Sequence, residues 1–356
     1  MSDHLDGWGK RAALADRTFA ADVARRVDAF TRNGGKRMRS QFLWWAMRGC
    51  APEWVPARAA LTTAGALELL QTCALVHDDV MDRCDMRRGR RALHEAVTHQ
   101  YAPLAGRARA AALGVSAGIL AGDLALAWAD DLAAAARCEL PPLLREQVAG
   151  IWSDLRLEMV AGQYLDVRAE VTGEHTPGRA LRIALLKSAL YSVERPLHLG
   201  AVLAGAGPEQ VRALRRAGRC AGVAFQLKDD VEGVFGDPKD TGKPCGDDIR
   251  AGKLTYLAAV ARARAAAGGD TAALGVLRDS LGDSGLDEAG LARVRTAMET
   301  TGARAAVQER VEVLARRSIA HLRDARLDVE AGRRLGALLR ATSGLAGDHR
   351  TTEECS

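Results

Sequence analysis

Residues 75–82 read Leu-Val-His-Asp-Asp-Val-Met-Asp, three carboxylates closing an otherwise apolar run. On a helix, Asp78 and Asp82 are i and i+4, so they project from one face about one turn apart. Like charges at that spacing cost an isolated helix about 0.2–0.5 kcal/mol, and something has to compensate them. Two readings stay open at this point. One is a solvated helix end whose acids meet nearby arginines. The other is a seat for a hard cation, since magnesium keeps several waters and takes one or two carboxylates together with phosphate oxygens.

Far downstream, Phe225-Gln-Leu-Lys-Asp-Asp-Val-Glu-Gly-Val-Phe-Gly-Asp237 again closes an apolar helical run with adjacent acids, Asp229 and Asp230. Cations follow both stretches: Arg87 and Arg88 after the first, Lys243 and Lys253 after the second. Paired acidic helix ends followed by arginine forks and lysine point charges suggest two metal-holding walls around one polyphosphate. A third cationic element, Gly34-Gly35-Lys36-Arg37-Met38-Arg39, opens a helix after a glycine turn. Backbone N–H groups at such a start, with Lys36 and Arg39 nearly one turn apart, suit a second diphosphate.

Outward from these stretches the apolar spacing is helical. Phe19, Val23, Val27 and Phe30 recur at intervals of three and four; Leu143, Leu144, Val148, Ile151, Trp152, Leu155 and Met159 repeat the pattern after Pro141-Pro142; Val307, Val311, Leu314, Ile319 and Leu322 repeat it again. Alternating strand patterns are absent, and 4% aromatic residues against 48% hydrophobic suits Ala/Leu-packed helices better than a β-rich core. Short glycine and proline breaks predict one all-α domain of roughly a dozen helices over residues 1–344, with a disordered tail over 345–356.

A formal charge of +5 is small for 356 residues, and no basic run is interleaved with aromatics, so no nucleic-acid partner is expected. The seven scattered cysteines include no Cys-x-x-Cys pair and read as reduced thiols. No apolar signal core opens the chain, and the most apolar stretch, 111–129, carries Asp123, so no transmembrane segment and a cytoplasmic protein are expected.

In order, Gly34-Gly35-Lys36-Arg37-x-Arg39, Asp78-Asp79-x-x-Asp82 with Arg87-Arg88-Gly89, Ala121-Gly122-Asp123, Gly162-Gln163-x-x-Asp166, Lys187-Ser188, Phe225-Gln226-x-x-Asp229-Asp230 and Gly242-Lys243-x-x-Gly246-x-Asp248 resemble the trans-isoprenyl diphosphate synthases of the polyprenyl synthetase family. The resemblance runs from about Asn33 to Lys253. It implies a large single-domain helical bundle of the isoprenoid synthase type around a deep central cavity, usually a homodimer, with three Mg2+ ions. Carried over by position, Asp78, Asp82 and Asp229 hold metal, with Asp79 and Asp230 in support. Arg87, Lys187, Lys243 and Lys253 contact the allylic diphosphate, and Lys36, Arg39, Gln71 and Arg88 contact isopentenyl diphosphate. Lys187, Ser188 and Gln226 steady the allylic cation. The reaction implied is ionisation, condensation and elimination, which needs no side-chain nucleophile.

Gly233 stands where the family commonly has a third aspartate, Ser40 replaces a frequent proline, and Lys187-Ser188-Ala189 varies the usual Lys-Thr-Gly. His77, His94, Trp44, Trp45 and Met159 read as structural. In the family, bulky residues four and five positions before the first aspartate close the tunnel floor. Here those positions are Ala74 and Cys73, with Leu70 a further turn down, so geranylgeranyl diphosphate is the expected product and a longer polyprenyl chain the alternative. Three rival functions use a similar scaffold or charge pattern. A class I terpene cyclase is the first, against which Lys36, Arg39, Gln71 and Arg88 argue. A noncatalytic subunit of a heteromeric synthase is the second, against which the retained acids argue, and a nucleic-acid-binding helical protein is the third.

Overall fold

The computed structural model describes residues 1–51, 56–174, 176–237 and 245–345. The expected tail from 346 onward and the loop carrying Lys243 lie outside them. Seventeen α-helical segments, more than the expected dozen, and two π-helical ones stand among the described residues. The excess has a physical origin: breaks such as Asp16, whose carboxylate caps the next turn by accepting from Phe19 N at 2.7 Å, and changes from α to π register carry no glycine or proline signal. A two-stranded hairpin, which the strand patterns did not announce, is the one sheet among the described residues. The backbone gathers into two compact units.

The first unit comprises Met1–Trp44 and Pro56–Arg145. It holds α1 (Ser2–Ala15), α2 (Arg17–Phe19), a π-helical segment (Ala20–Ala24), α3 (Arg25–Arg32) and the start of α4 (Met38–Cys50). After these come α5 (Ala57–Met81), the hairpin β1 (Met86–Arg87) and β2 (Arg90–Arg91), α6 (Leu93–Ala105) and α7 (Arg107–Cys138). Leu67, Leu69, Leu70 and Val76 of α5 are buried, as are Ala121, Ala125, Ala129 and Leu132 of α7. Close approach depends on Gly114, Gly118 and Gly122, one turn apart on α7. A Cβ would come 2.4 Å from His94 O at the first, 2.5 Å from Val80 Cγ2 at the second and 2.1 Å from His77 Nε2 at the third. The His77 ring fills the space at Gly122 and donates from Nε2 to Ile119 O at 3.0 Å, which ties α5 to α7. That bond gives His77 a packing contact between α5 and α7.

By length and composition alone, α5 and α7 are long and apolar enough to cross a membrane, which the sequence reading of the 111–129 stretch did not allow. The apolar window of α5 is two-thirds buried inside the protein, the condition of a core helix.

The second unit, Trp45–Val55 with Glu146–Ser356, carries most of α8 (Pro142–Thr172) and then α9 (Pro177–Ile183), an eleven-residue π-helix (Ala184–Glu194), α10 (Arg195–Leu203) and α11 (Pro208–Phe235). Six shorter or surface-lying helices follow: α12 (Asp247–Arg250), α13 (Tyr256–Gly268), α14 (Thr271–Ser280), α15 (Glu288–Thr300), α16 (Ala303–Asp324) and α17 (Val329–Ser343). Val223, Leu227, Val231 and Val234 of α11 form the spine of its core, with Ile249, Leu257, Leu277, Leu291, Val294, Met298 and Val307 around them.

The π-helix ends on a buried ionic group. Glu194 is fully buried and accepts from Arg215 Nε at 2.6 Å, while Arg195 donates from Nε to Glu158 Oε2 at 2.8 Å. Beside them, burial pushes the His198 imidazole down to about 3, with Arg215 and Arg195 adding to the shift. Folded His198 is thus neutral where the unfolded chain, titrating near 6.5, has already taken up its proton, so stability falls as pH drops from 6.5 towards 3. Thermal melts across that window are expected to lose stability less steeply in His198→Gln than in the natural protein; equal slopes would contradict this assignment.

Candidate active site

In the first unit the site grows from the end of α5. Asp82 caps the helix, its N–H donating to Asp78 O at 2.8 Å, so Asp78 and Asp82 share the last turn as the spacing predicts. Asp79 turns inward and is 1% exposed. The hairpin supplies its partner: Arg88 and Gly89 form a two-residue turn with φ of 53° and 72°, the doubly left-handed geometry that suits a tight hairpin. That turn sets Arg87 back over the helix end, where its Nε donates to Asp79 Oδ1 at 2.6 Å and its Nη2 lies 3.5 Å from Asp78 Oδ2. Burial pushes the Asp79 carboxyl up, and the Arg87 bond and charge oppose the shift.

Arg88, at the hairpin tip, lies against Gly34 and Gly35. A Cβ on Gly34 would come 2.6 Å from Arg88 Nη1, and the guanidinium sits 5.2 Å from the centroid of the Phe30 ring. Arg37, at φ 52°, locks this turn by donating to Glu68 Oε2 at 2.7 Å and to the carbonyls of Thr31 and Arg32 at 2.5 and 2.9 Å. Ser40 adds a bond to Glu68 Oε1 at 2.6 Å, which shows how serine is accommodated where proline is frequent. Burial, followed by the charges of Arg37 and Arg87, lowers the Arg88 pKa, with Arg39 adding and Glu68 opposing. Arginines crowded closely enough to depress one another's charge make a field that an anion relieves. Lys36 is exposed in the turn ahead of α4, Arg39 lies on its first turn, and half-buried Gln71 follows Glu68 by three residues on α5.

The tunnel-floor residues divide between faces of α5. Ala74 is half-buried on the stripe of Asp78, one turn below it. Cys73 instead turns to His77, Sγ to Nδ1 3.7 Å, and burial pushes its thiol up to about 12. Leu70 is fully buried.

In the second unit Lys187 rides on the π-helix. A Cβ on Gly162 of α8 would come 2.3 Å from Lys187 N, and one on Gly222 of α11 would come 2.6 Å from Ala189 O. One turn beyond Gly162, Asp166 accepts from Lys187 Nζ at 2.5 Å while only 7% exposed. The α11 stripe that meets the π-helix at Gly222 continues through Gln226, Asp229 and Gly233 at helical spacing. Ser188 and Asp229 are both half-buried. Asp230 turns into the core, accepting from Gln226 Nε2 and from Tyr256 N, each at 2.9 Å. Burial raises its carboxyl to about 7, with the charges of Asp248 and Asp229 adding to the rise. Lys253 follows α12, its N–H on Asp248 O at 2.9 Å. Lys243 lies outside the described residues.

Among the described residues no three His, Cys, Asp or Glu side chains converge as a ready-made cage. Magnesium does not require one, because it takes one or two carboxylates and completes its shell with water and phosphate oxygens. Each unit by itself offers donors that fit it: carboxylate oxygens at Asp78 and Asp82 in the first, and at Asp229 beside the buried Asp230 in the second. Asp166 and Glu68 had no assigned role in the sequence. Asp166 stands four residues after Gly162 in Gly162-Gln163-x-x-Asp166, a spacing that puts both on one helix face, whereas no motif marks Glu68.

The arrangement defines an all-helical protein of the isoprenoid synthase fold. The chain belongs to the polyprenyl synthetase family, whose sequence profile matches residues 21–280. The crystal structure of a geranylgeranyl pyrophosphate synthase from Corynebacterium glutamicum, complexed with isoprenyl diphosphate and magnesium, superposes with a TM-score of 0.88 at 34% identity and 96% coverage of both chains. A geranylfarnesyl diphosphate synthase of Aeropyrum pernix is 33% identical over 63% of this chain and 65% of its own length, so the match spans slightly under two thirds of that relative. A short chain isoprenyl diphosphate synthase of Methanothermobacter thermautotrophicus is 29% identical over 74% of this chain and 77% of its own.

Because Gly162 leaves no room for a side chain against Lys187, Gly162→Ala must part α8 from the π-helix. Denaturant unfolding is expected to show a loss of about 1–3 kcal/mol; an unchanged midpoint would mean the close approach is not needed.

Proposed function

We propose that this chain, with residues 1–344 as its catalytic domain, is a trans-prenyltransferase that condenses isopentenyl diphosphate head to tail with an allylic diphosphate, and that its product is geranylgeranyl diphosphate. The observation that carries the reading is the arginine crowding at Arg37, Arg39, Arg87 and Arg88 beside the carboxylates that end α5, because anion-holding and cation-holding groups adjoin on one surface. The names of the relatives support the same reaction.

In this reading Lys36, Arg39, Gln71 and Arg88 hold isopentenyl diphosphate. Arg87, Lys187, Lys243 and Lys253 hold the allylic diphosphate and take up the charge it gains on leaving. Asp78, Asp82 and Asp229 would hold three magnesium ions, whose charge would offset that of the departing diphosphate. Asp79 and Asp230 keep the ends of α5 and α11 in place. Asp166 orients Lys187 by accepting from its Nζ. Ser188 and Gln226 direct oxygen dipoles at the allylic cation, and the Gln226 amide is set by its bond to Asp230. The double bond of isopentenyl diphosphate attacks the cation, and the released diphosphate accepts the proton. The family resemblance supports a homodimer, and free thiols at the six described cysteines support a reducing, cytoplasmic setting.

The product-length reading rests on Ala74, the small residue beneath Asp78. A longer product is the second reading, which the small side chains at both 73 and 74 favour. Ala74→Phe is expected to shorten the product, and an unchanged chain length would place the floor elsewhere.

Pure protein incubated with Mg2+, labelled isopentenyl diphosphate and each of dimethylallyl, geranyl and farnesyl diphosphates is expected to give a labelled geranylgeranyl product. No labelled prenyl product from any pair would refute the proposal. In the same assay Asp229→Ala is expected to lower turnover by about 100-fold or more, as loss of a charge-stabilising group does. Glu232, ion-paired to Lys228 at 3.3 Å, is expected to tolerate alanine.

A further inference from the structure

Arg37 has φ of 52°, in left-handed space that a side chain rarely occupies and that persists where surrounding contacts over-determine it. Those contacts form a closed set. Both terminal nitrogens of the Arg37 fork turn into the protein, Nη1 to Glu68 Oε2 at 2.7 Å and Nη2 to the carbonyl oxygens of Thr31 and Arg32. The buried hydroxyls of Thr31 and Thr72 meet at 2.9 Å, so a residue whose carbonyl Arg37 grips is itself tied to α5. Glu68 Oε1 accepts from the Ser40 hydroxyl at 2.6 Å, on the first turn of α4. One carboxylate, its side chain 11% exposed, therefore holds the chain at residues 37 and 40. Arg39 lies between those two points, and the exposed Lys36 just ahead of them. The Glu68 charge also acts on Arg88, which lies against Gly34 and Gly35 at the head of the same turn.

We propose that Glu68 is a positioning residue of the isopentenyl diphosphate site, and that Arg37 serves the site as the staple through which Glu68 acts and not as a phosphate ligand. The inference rests on the reading of Lys36, Arg39 and Arg88 as that site. Fixing the turn before the substrate arrives removes the cost of ordering it on binding. Ser40 belongs to the device, because the proline frequent at its position has no hydroxyl to offer Glu68 Oε1. A carboxylate that served only as a countercharge to the arginines would have the opposite consequence: its removal would strengthen anion binding.

The test is calorimetric titration of isopentenyl diphosphate into the full chain in EDTA, which reads this site without metal or turnover. Glu68→Ala is expected to weaken binding by about 10–100-fold, the scale on which small misplacements of binding groups are felt. Glu68→Gln keeps the size of the side chain and an acceptor for Arg37, and is expected to recover most of that loss. Arg37→Lys keeps the charge without the fork and is expected to weaken binding as Glu68→Ala does. In turnover with Mg2+, Glu68→Ala is expected to raise KM for isopentenyl diphosphate and leave that for the allylic diphosphate in place, a split that general loosening of the fold would not produce. Equal or tighter binding in Glu68→Ala, where Lys36→Ala weakens it, overturns the inference and leaves the site reading standing. Unchanged binding in both, or none by the natural protein, overturns the two together. If Glu68→Ala does not fold, Arg37→Lys decides alone: unchanged affinity would mean that charge at 37 suffices and the staple is not needed.

Discussion

The π-helix that carries Lys187 runs between α8 and α11 with no room for a side chain at its closest contacts. Gly162 on one flank, and Gly218 and Gly222 on the other, bring backbone to backbone; a Cβ at Gly218 would come 2.8 Å from Glu194 Cα. The wider turn of a π-helix is rare and frequent at functional sites, and here glycines on two neighbours make space for it. Lys187 then reaches Asp166 one turn from Gly162, and the α11 stripe beyond Gly222 carries Gln226, Asp229 and Gly233. The buried ionic group of Glu194, Arg195, Glu158 and Arg215 fixes the far end. Slippage of that helix would move every polar group on it.

Adjacent aspartates divide their work by helical geometry. Consecutive residues project about 100° apart, so when one of a pair faces the core its neighbour faces outward. Asp79 and Asp230 face inward, where burial raises both carboxyls; Arg87 holds Oδ1 of the first while its Oδ2 is buried without a hydrogen-bond partner among the described residues, and Gln226 and the Tyr256 N–H hold both oxygens of the second. Their neighbours Asp78 and Asp229 remain half-buried. The same sequence pair therefore anchors a helix end and offers an oxygen donor beside it.

Much of this was legible in residue spacing. Periods of three and four gave the helices, the motif order gave the family, and the i and i+4 relation of Asp78 and Asp82 gave their shared face. Features set by tertiary contact were less legible. Change to π register at Ala184 leaves no mark in the apolar pattern, because spacing alone does not separate α from π turns over two turns. The hairpin at Met86–Arg91 escaped because its strands are two residues long and hold arginines where alternation would show apolar residues. No motif marks Glu68, whose part comes from the tertiary contacts by which Arg37 and Ser40 donate to it. The approach of Asp248 Oδ2 to within 3.3 Å of a Cβ at Gly233 is likewise a tertiary contact that spacing does not show.

The chemistry turns on which aspartates meet metal. Crystals grown with Mn2+ and inorganic pyrophosphate, with anomalous scattering measured at the manganese edge, test this most directly. Metal peaks are predicted within ligand distance of Asp78, Asp82 and Asp229, with Asp79 still on Arg87 and Asp230 still on Gln226. Manganese ligated by Asp79 or Asp230, or absent from Asp229, would contradict it.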